Sequence, residues 1–229
     1  MIEPDRPPID PDFRESQPPP QAVTVAELEE VLGSHREWLE SKAQSGERAS
    51  FHRALLQDAY LQGADLRGAD FSQAILQEAE LQNANLYRAN MSQANLQEAD
   101  LCKAKLQRVD LRDADLLEAK LMGADLSTAF CKSANFFMAD LRSSVCTEIN
   151  LQQTDLQGAN LREANLSRAQ IQDAKMSGAE LRGAILHAAD FLYALGITVK
   201  QASEGETDER TRWPTYLRAD RSALSLRGV

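Results

Sequence analysis

A five-residue period runs through the middle of the chain and restricts its fold more than any other feature. From Phe51 to Phe191 every fifth residue is large and apolar or a cysteine, at 29 positions without an insertion or deletion. We call these residues centres, and twenty of them are leucine. The residue two before a centre is alanine at 24 of 28 positions from Ala54 to Ala189, and the residue just before a centre is Asp or Asn at 16 of 28. Such regularity predicts a structural unit of five residues that repeats.

Neither a continuous helix nor a straight strand can bury residues that are spaced five apart. Five residues of a helix advance about 500°, so the centres would spiral around its axis. A strand alternates its side chains, so a step of five moves each centre to the opposite side. The alanine and its centre are two apart and share a side, so we expect the chain to run extended for about three residues and then bend. Asp and Asn suit the bend because their side chains hydrogen-bond nearby backbone. The result is a solenoid whose turns stack about 4.8 Å apart.

The repeated motif resembles that of a known family. The segments "ADLRGADF", "ANLYRANMSQANLQEADL" and "ANLREANL" are similar to the A(D/N)LXX signature of the pentapeptide-repeat proteins. The resemblance covers about 140 of the 229 residues, in unbroken register. It implies an all-β solenoid, a right-handed quadrilateral β-helix with four repeats per coil. We therefore expect about seven coils and a tower roughly 34 Å tall.

The segments before the repeats differ from them in composition. Residues 1–22 hold seven of the eight prolines and an excess of acids, which predicts a disordered Pro-rich arm. Residues 23–48 are expected to hold a capping helix over about 24–46. Thr24 and Glu27 can form a capping box, and apolar residues follow at three- and four-residue steps.

Both ends of the repeat region need covering, because an open coil exposes core and unpaired backbone. We expect Trp38 and Leu39 of the helix to pack on the first coil of the β-helix, which we assign to residues 49–195. Residues 196–229 are expected to form a C-terminal cap and tail. They resemble the segments that follow pentapeptide towers and include a T-x-x-P step that begins at Thr211.

Charge and cysteine content indicate the cellular compartment and disfavour some classes of partner. The net charge of −10 disfavours a nucleic-acid ligand and an anionic membrane surface. No apolar run approaches the roughly 20 residues of a membrane span, and the N-terminus lacks the pattern of a secretory signal. The three cysteines, Cys102, Cys131 and Cys146, are an odd number without close spacing. A cytoplasmic protein is the simplest interpretation.

The sequence predicts no enzyme active site, metal site or cofactor. His35 lies on the predicted helix, whereas His52 and His187 lie in the first and last coils, too far apart for one metal ion. Cys131 and Cys146 are centres and should be buried and unreactive. Cys102 follows a centre, and no pattern of basic neighbours indicates an activated thiol.

Residues 127–141, "STAFCKSANFFMADL", are unusually rich in large apolar side chains. Phe136 is a centre and should point inward. Phe130 precedes a centre, Phe137 follows one, and Met138 is two after one, so all three should point outward. Leu117 lies twenty residues before Phe137 and should stack beneath it, and Met122 should lie on the adjoining wall. The five outward residues, Phe130, Phe137, Met138, Leu117 and Met122, are called the apolar patch.

Two interpretations of the apolar patch remain open. It is a protein-binding surface, since clustered exposed apolar side chains usually mark interfaces. Alternatively, it covers a weak spot in the core. Cys131 and Cys146 are small for centres, and Ser144, Ile149 and Thr154 form the only consecutive run that departs from alanine.

We predict a non-enzymatic scaffold or adaptor that binds a protein, either another protein or a second copy of the chain, through its outer walls. The alternative is a DNA mimic that modulates type II topoisomerase (gyrase), an activity known in the family that the repeats resemble. Residues 51–195 hold 19 acids and 14 bases, a net charge of −5. A mimic of this height would need about 20 negative charges. In addition, the Asp and Asn residues before the centres form no continuous acidic stripe.

Overall fold

A β-helix built from the repeats forms most of the protein in the computed structural model, which describes residues 20–218. Each residue before a centre forms a parallel bridge with the residue twenty positions later, from Ser50 with Asp70 to Lys175 with Leu195. One coil therefore contains four repeats, as the resemblance implied. Two strands are long enough to name, β1 (Gln21–Ala22) and β2 (Ala54–Leu55). Elsewhere the chain bends after every bridge, so the walls consist of isolated bridges instead of long strands.

The bends are β-turns with one residue in the left-handed region. The centre carbonyl accepts a hydrogen bond from the N–H three residues later, as in Ala59 N–H to Leu56 at 3.1 Å. The residue two after each of the 29 centres has a positive φ, as a type II turn requires. Asp and Asn stabilise these turns as predicted. All 16 of those before a centre accept a hydrogen bond from the N–H two residues later, as in Arg112 N–H to Asp110 at 3.1 Å.

The interior of the β-helix contains every centre. All 29 are at most 3% exposed, and Phe51 stacks on Phe71 with ring centroids 4.9 Å apart. Cys131 and Cys146 lie in this core as expected. Burial raises the pKa of both thiols, that of Cys146 to about 12, so neither is a thiolate near neutral pH.

Three consecutive turns have longer hydrogen bonds than the turns just before them. They lie where Ser144, Ile149 and Thr154 replace the usual alanine. The N–H groups of Ser144, Ile149 and Thr154 lie 3.2, 3.4 and 3.4 Å from the centre carbonyls that they reach, against 3.0 Å for Ala134. The hydroxyls of Ser144 and Thr154 each donate to the same carbonyl at 2.7 Å. These loosened turns keep their buried polar groups satisfied. The first two belong to the coil that contains Phe136, and the third begins the next coil.

A helix and a short strand cover the N-terminal end. Helix α1 (Val25–Glu40) begins with the predicted capping box, in which Thr24 and Glu27 bond each other's backbone. It ends well before residue 46, because Lys42 and Ala43 adopt left-handed φ values of 56° and 67° and reverse the chain. β1 pairs with β2 in parallel, so the folded body already includes residues 21–22, which composition had placed in the arm. Residues 1–19 of the predicted arm lie outside the described residues.

Helix α1 contacts the core through a different set of residues than expected. Val31 and Leu32, with Val23 and Leu28 before them, are partly buried against it. Trp38 instead stacks on the buried His35 at 5.5 Å, and Trp38 and Leu39 are only half-buried. The expectation that Trp38 and Leu39 shield the first coil is therefore wrong. The pairing of β1 with β2 fixes where the helix begins and so brings its first three turns over the core.

His35 holds the helix to the first coil through its neutral ring. It is fully buried, and its Nδ1 accepts a hydrogen bond from the Ala49 N–H at 3.0 Å. Its Nε2 is also buried and has no hydrogen-bond partner among the residues described. Burial lowers the pKa of His35 below its usual 6.5, assisted by the charges of Arg67 and Arg48 and opposed by that of Asp65. A protonated ring could not accept from Ala49.

We therefore expect stability to fall as the pH drops below about 6.5. The unfolded chain binds the His35 proton at the ordinary pKa, whereas the folded chain binds it only at lower pH. The free energy of unfolding thus decreases from that pH down to the folded-state pKa. The measurement is the thermal midpoint between pH 7.5 and 5. His35→Gln, whose amide oxygen can still accept from Ala49, should show a shallower decline, and parallel curves for the two proteins would contradict this role of His35.

The chain after the last repeat continues the coil and closes its C-terminal end. Glu206 and Arg212 form parallel bridges with Ile185 and Asp190. The hydroxyl of Thr211, the first residue of the T-x-x-P step, donates to the Leu186 carbonyl at 2.9 Å. The ring of Trp213 stacks on Phe191 at 4.6 Å, which covers the last centre. Two short helices, α2 (Val199–Glu204) and α3 (Thr215–Arg218), complete this cap.

Candidate protein-binding surface

The surface position of each residue follows from its place in a repeat. Repeats twenty residues apart stack in columns, which gives four walls, named here by their first centres: the Phe51, Leu56, Leu61 and Leu66 walls. On each wall the residues just before, just after and two after a centre face outward. Residues in successive coils at the same position therefore lie one above another, about 4.8 Å apart.

Leu117 and Phe137 stack on the Leu56 wall, as predicted. The Glu118 N–H donates to the Phe137 carbonyl at 2.9 Å, which joins the two coils at this point. Phe137 is 39% exposed, and Leu117 is half-buried. The remaining residues at this position of the wall are polar: Gln57, Gln77, Gln97, Gln157 and Ser177. The two apolar side chains thus interrupt a polar column.

Met138 extends the apolar patch toward the next coil. It is 52% exposed and lies two after a centre, with a φ of 58°. Its side chain lies across Gly158 in the following coil, where an added β-carbon would overlap the Met138 sulfur. Glycine at 158 therefore provides the space that Met138 occupies on the surface.

Met122 and Phe130 lie on the two neighbouring walls. Met122 is 38% exposed on the Leu61 wall, in the same column as Arg142. Phe130 is 50% exposed on the Phe51 wall and forms backbone bridges with Asp110 and Asn150. The outward orientation predicted for these side chains is confirmed. The apolar patch therefore has its centre on the Leu56 wall and reaches around two corners of the tower.

An acidic column lies directly below Met138, and the sequence analysis missed it. Asp58, Glu78, Glu98 and Glu118 occupy the same position of the Leu56 wall in successive coils, and all four are exposed. Glu80 and Asp100 on the Leu61 wall line a shallow groove with the last three of them, together with Gln82 and the cation Lys120. None of the ion pairs formed within residues 20–218 includes an acid of this column.

Some of the acids before the centres are paired with arginines, unlike the acids of the column. Asp110 and Asp140 each bind the guanidinium of an arginine two residues later. The hydrogen bonds from Arg142 lower the pKa of Asp140, so this carboxylate is ionised but neutralised locally. The motif Asp and Asn stand just before the centres, whereas the acids of the column stand two after them, at a position without a motif. Following every twentieth residue from Asp58 would have revealed the column.

The described part of the chain shows no constellation for metal binding or thiol chemistry. Within residues 20–218 no group of three His, Cys, Asp or Glu side chains could hold a metal ion. Cys102 is half-buried, and this burial together with Asp100 raises the pKa of its thiol to about 11. No helix formed by these residues is both long and apolar enough to span a bilayer.

Comparison with known proteins agrees with this architecture. The family profile described as pentapeptide repeats matches residues 54–93, 89–127, 134–169 and 164–194, in eight copies. No curated protein matches the chain. Two trypsin-treated variants of QnrB1, described as a plasmid-mediated fluoroquinolone resistance protein, are 17% and 18% identical with TM-scores of 0.64 and 0.65, and the match covers 80% of this chain and 94% of theirs.

A third solved structure is HetL, a pentapeptide repeat protein involved in heterocyst differentiation regulation from the cyanobacterium Nostoc sp. strain PCC 7120. It is 29% identical over 75% of this chain and 79% of its own, with a TM-score of 0.34. The family match spans more than half of the chain, and the two QnrB1 structures share its fold. The chain therefore belongs to the pentapeptide-repeat family, whose fold is the quadrilateral, right-handed β-helix.

Proposed function

We propose that this protein is a non-enzymatic interaction scaffold that binds a protein partner through the apolar patch. The observation that carries this proposal is the clustering of exposed apolar side chains in adjacent coils, where most of the surrounding outward positions are polar or charged. Aromatic residues and methionine are enriched at the cores of protein interfaces, and the patch consists of both together with one leucine. A rigid tower on which such side chains are fixed by register needs little rearrangement to bind.

The size of the contact is consistent with a partner of moderate affinity. Burying one large apolar side chain fully contributes about 1.5–3 kcal/mol. Phe137 is 39% exposed and Leu117 is half-buried before a partner binds, so only that remaining surface counts, and the two together contribute roughly 1–2 kcal/mol of the 8.2 kcal/mol of a micromolar complex. Self-association through the same surface uses the same chemistry and is the second form of this proposal.

Replacing Phe137 and Leu117 by serine is expected to weaken partner binding about tenfold while the tower stays folded. Both side chains point outward, so the loss falls on the interface. The measurement is affinity capture from the native cell, quantified per folded molecule, with sedimentation to detect self-association. The matched control is Gln57→Ser with Gln77→Ser, two stacked residues at the same position of the same wall. Equal capture by both double variants would show that the patch serves packing only.

The loosened turns at Ser144, Ile149 and Thr154 favour the alternative that the apolar patch covers a weak part of the core. That alternative predicts a different result for the same variant. If the outward apolar side chains cover a weak coil, the Phe137→Ser, Leu117→Ser variant should lose as much thermal stability as a core variant and leave binding unchanged.

The second candidate function is a DNA mimic that modulates gyrase. Two observations favour it: the acidic column and the shared fold with QnrB1, which is described as a fluoroquinolone resistance protein. The net charge of −5 over residues 51–195 opposes it, because a mimic of this height would need about 20 negative charges. The acidic column also covers only one wall over four coils. Gyrase supercoiling at micromolar protein distinguishes the two functions, since a mimic inhibits it or protects it from quinolones and the scaffold does neither.

A further inference from the structure

We infer that the partner contributes a basic amphipathic helix, which lies along the Leu56 wall with its cations on the acidic column and its apolar end on the apolar patch. This inference rests on the proposed function and specifies the partner. It is drawn from the continuity of the two surfaces. Glu118, the last acid of the column, precedes Met138 by one coil at the same position and immediately follows Leu117.

The spacing of the acids matches a helix better than a strand. Successive acids of the column are one coil, about 4.8 Å, apart, so the four span about 14 Å. Side chains on one face of a helix are about 5–6 Å apart, whereas those on one side of a strand are about 6.6–6.8 Å apart. Over three steps a helix falls out of register by about 2 Å and a strand by about 6 Å. Only the helix keeps one cation near each acid.

The charge of the groove specifies a basic occupant. Glu78, Glu98 and Glu118 are exposed, and Glu80 and Asp100 line the groove beside them. One cation, Lys120, lies at the upper end of the same lining. Because the acids of the column take part in none of the ion pairs within residues 20–218, their charges are available to a partner.

The apolar patch determines which end of the bound helix must be apolar. Apolar side chains on the same helical face, one or two turns beyond the last cation, would reach Phe137 and Met138. A helix whose whole face is basic would leave the patch uncovered, and a wholly apolar one would leave the acids unpaired. The surface therefore selects a segment in which basic residues are followed, on one face, by apolar residues.

The test uses a synthetic helix-forming peptide of about 18 residues as the probe. Lysines recur every three or four residues over its first turns, and Leu and Phe occupy the same face in its last turns. Fluorescence anisotropy measures its binding to the full chain, and circular dichroism measures helix gained on binding. We expect micromolar binding at low salt that weakens as salt rises, since exposed ion pairs are screened. The same peptide with its lysines replaced by glutamates should not bind.

Charge reversal on the protein separates a specific site from general attraction by an acidic protein. Glu98→Lys with Glu118→Lys is expected to weaken peptide binding about tenfold. The matched control is Asp113→Lys with Asp173→Lys, which makes the same change at the same turn position of the Phe51 wall. Lysine is accommodated at this turn position, as Lys103 shows with a φ of 58°.

The outcomes for the inference and for the proposed function are distinguishable. No binding of the peptide, equal effects of the two charge reversals, or binding without helix formation would each overturn the inference. If the Phe137→Ser, Leu117→Ser variant still loses its cellular partner in those cases, the proposed function stands with a different partner chemistry. Loss of peptide binding in both the patch variant and the Glu98→Lys, Glu118→Lys variant supports the inference.

Discussion

Replacing Phe136 by serine is expected to lower the thermal unfolding midpoint by about 10 °C, whereas the same change at Phe137 should lower it little. Phe136 is a fully buried centre, and Phe137, the next residue, is 39% exposed. Removing a buried phenylalanine side chain typically costs about 3–5 kcal/mol, and the serine hydroxyl adds a buried polar group. In a chain of this length each kcal/mol shifts the midpoint by about 2–4 °C. The measurement is a thermal melt followed by circular dichroism.

Phe136 and Phe137 are adjacent and receive the same substitution, so the comparison tests which of the two side chains points into the core. Cys131 and Cys146 are the small centres of the coil that contains Phe136, so this ring fills a large share of its interior. Equal destabilisation by the two variants would mean that Phe137 packs as part of the structure and that the exposed surface has been misjudged.

Removal of the N-terminal cap is expected to cause aggregation. Deleting residues 1–48 takes away β1, which pairs with Ala54–Leu55, and His35, which accepts from the Ala49 N–H. It also uncovers the first coil where Val31 and Leu32 now pack. An exposed sheet edge beside an open core is a template for pairing with other chains. Size-exclusion chromatography should show that the protein elutes mainly as large oligomers.

A shorter deletion is the control for the cap. Removing residues 1–19 leaves β1 and helix α1 in place, so this protein should elute as the full chain does. If the longer deletion also elutes like the full chain, the first coil is stable without a cover, and helix α1 has another role.

The repeat region could be predicted from the sequence almost residue by residue, whereas its flanks could be predicted only in outline. The unbroken period of five determines which way each side chain points, so the burial of Phe136 and the exposure of Phe130 and Phe137 followed from register alone. Helix α1 has no such period. Its contact with the core depends on the pairing of β1 with β2, a long-range interaction that two residues of sequence do not reveal. For this reason His35, and not Trp38, proved to be the buried residue.

The candidate surface was predictable in part for the same reason. Leu117 and Phe137 are twenty residues apart, so the number of repeats per coil places them together. The acidic column obeys the same rule, yet its members Asp58 and Glu78 sit at a position that hosts many residue types and gives no motif. What partner covers these side chains is not encoded in the period, because the repeat specifies a surface position and not what binds there.

The bridges between residues twenty apart also bear on how the chain folds. Most β proteins pair segments that are distant in sequence, which slows their folding because long loops must close first. Here each bridge joins residues twenty apart, about 0.09 of the 229-residue chain, so the loops that the bridges close are short relative to its length. A nucleus of two or three coils could form anywhere in the array and grow coil by coil. We therefore expect this all-β protein to fold without the closure of long loops, with hydrogen exchange fastest at the end coils and at the loosened turns around Ile149.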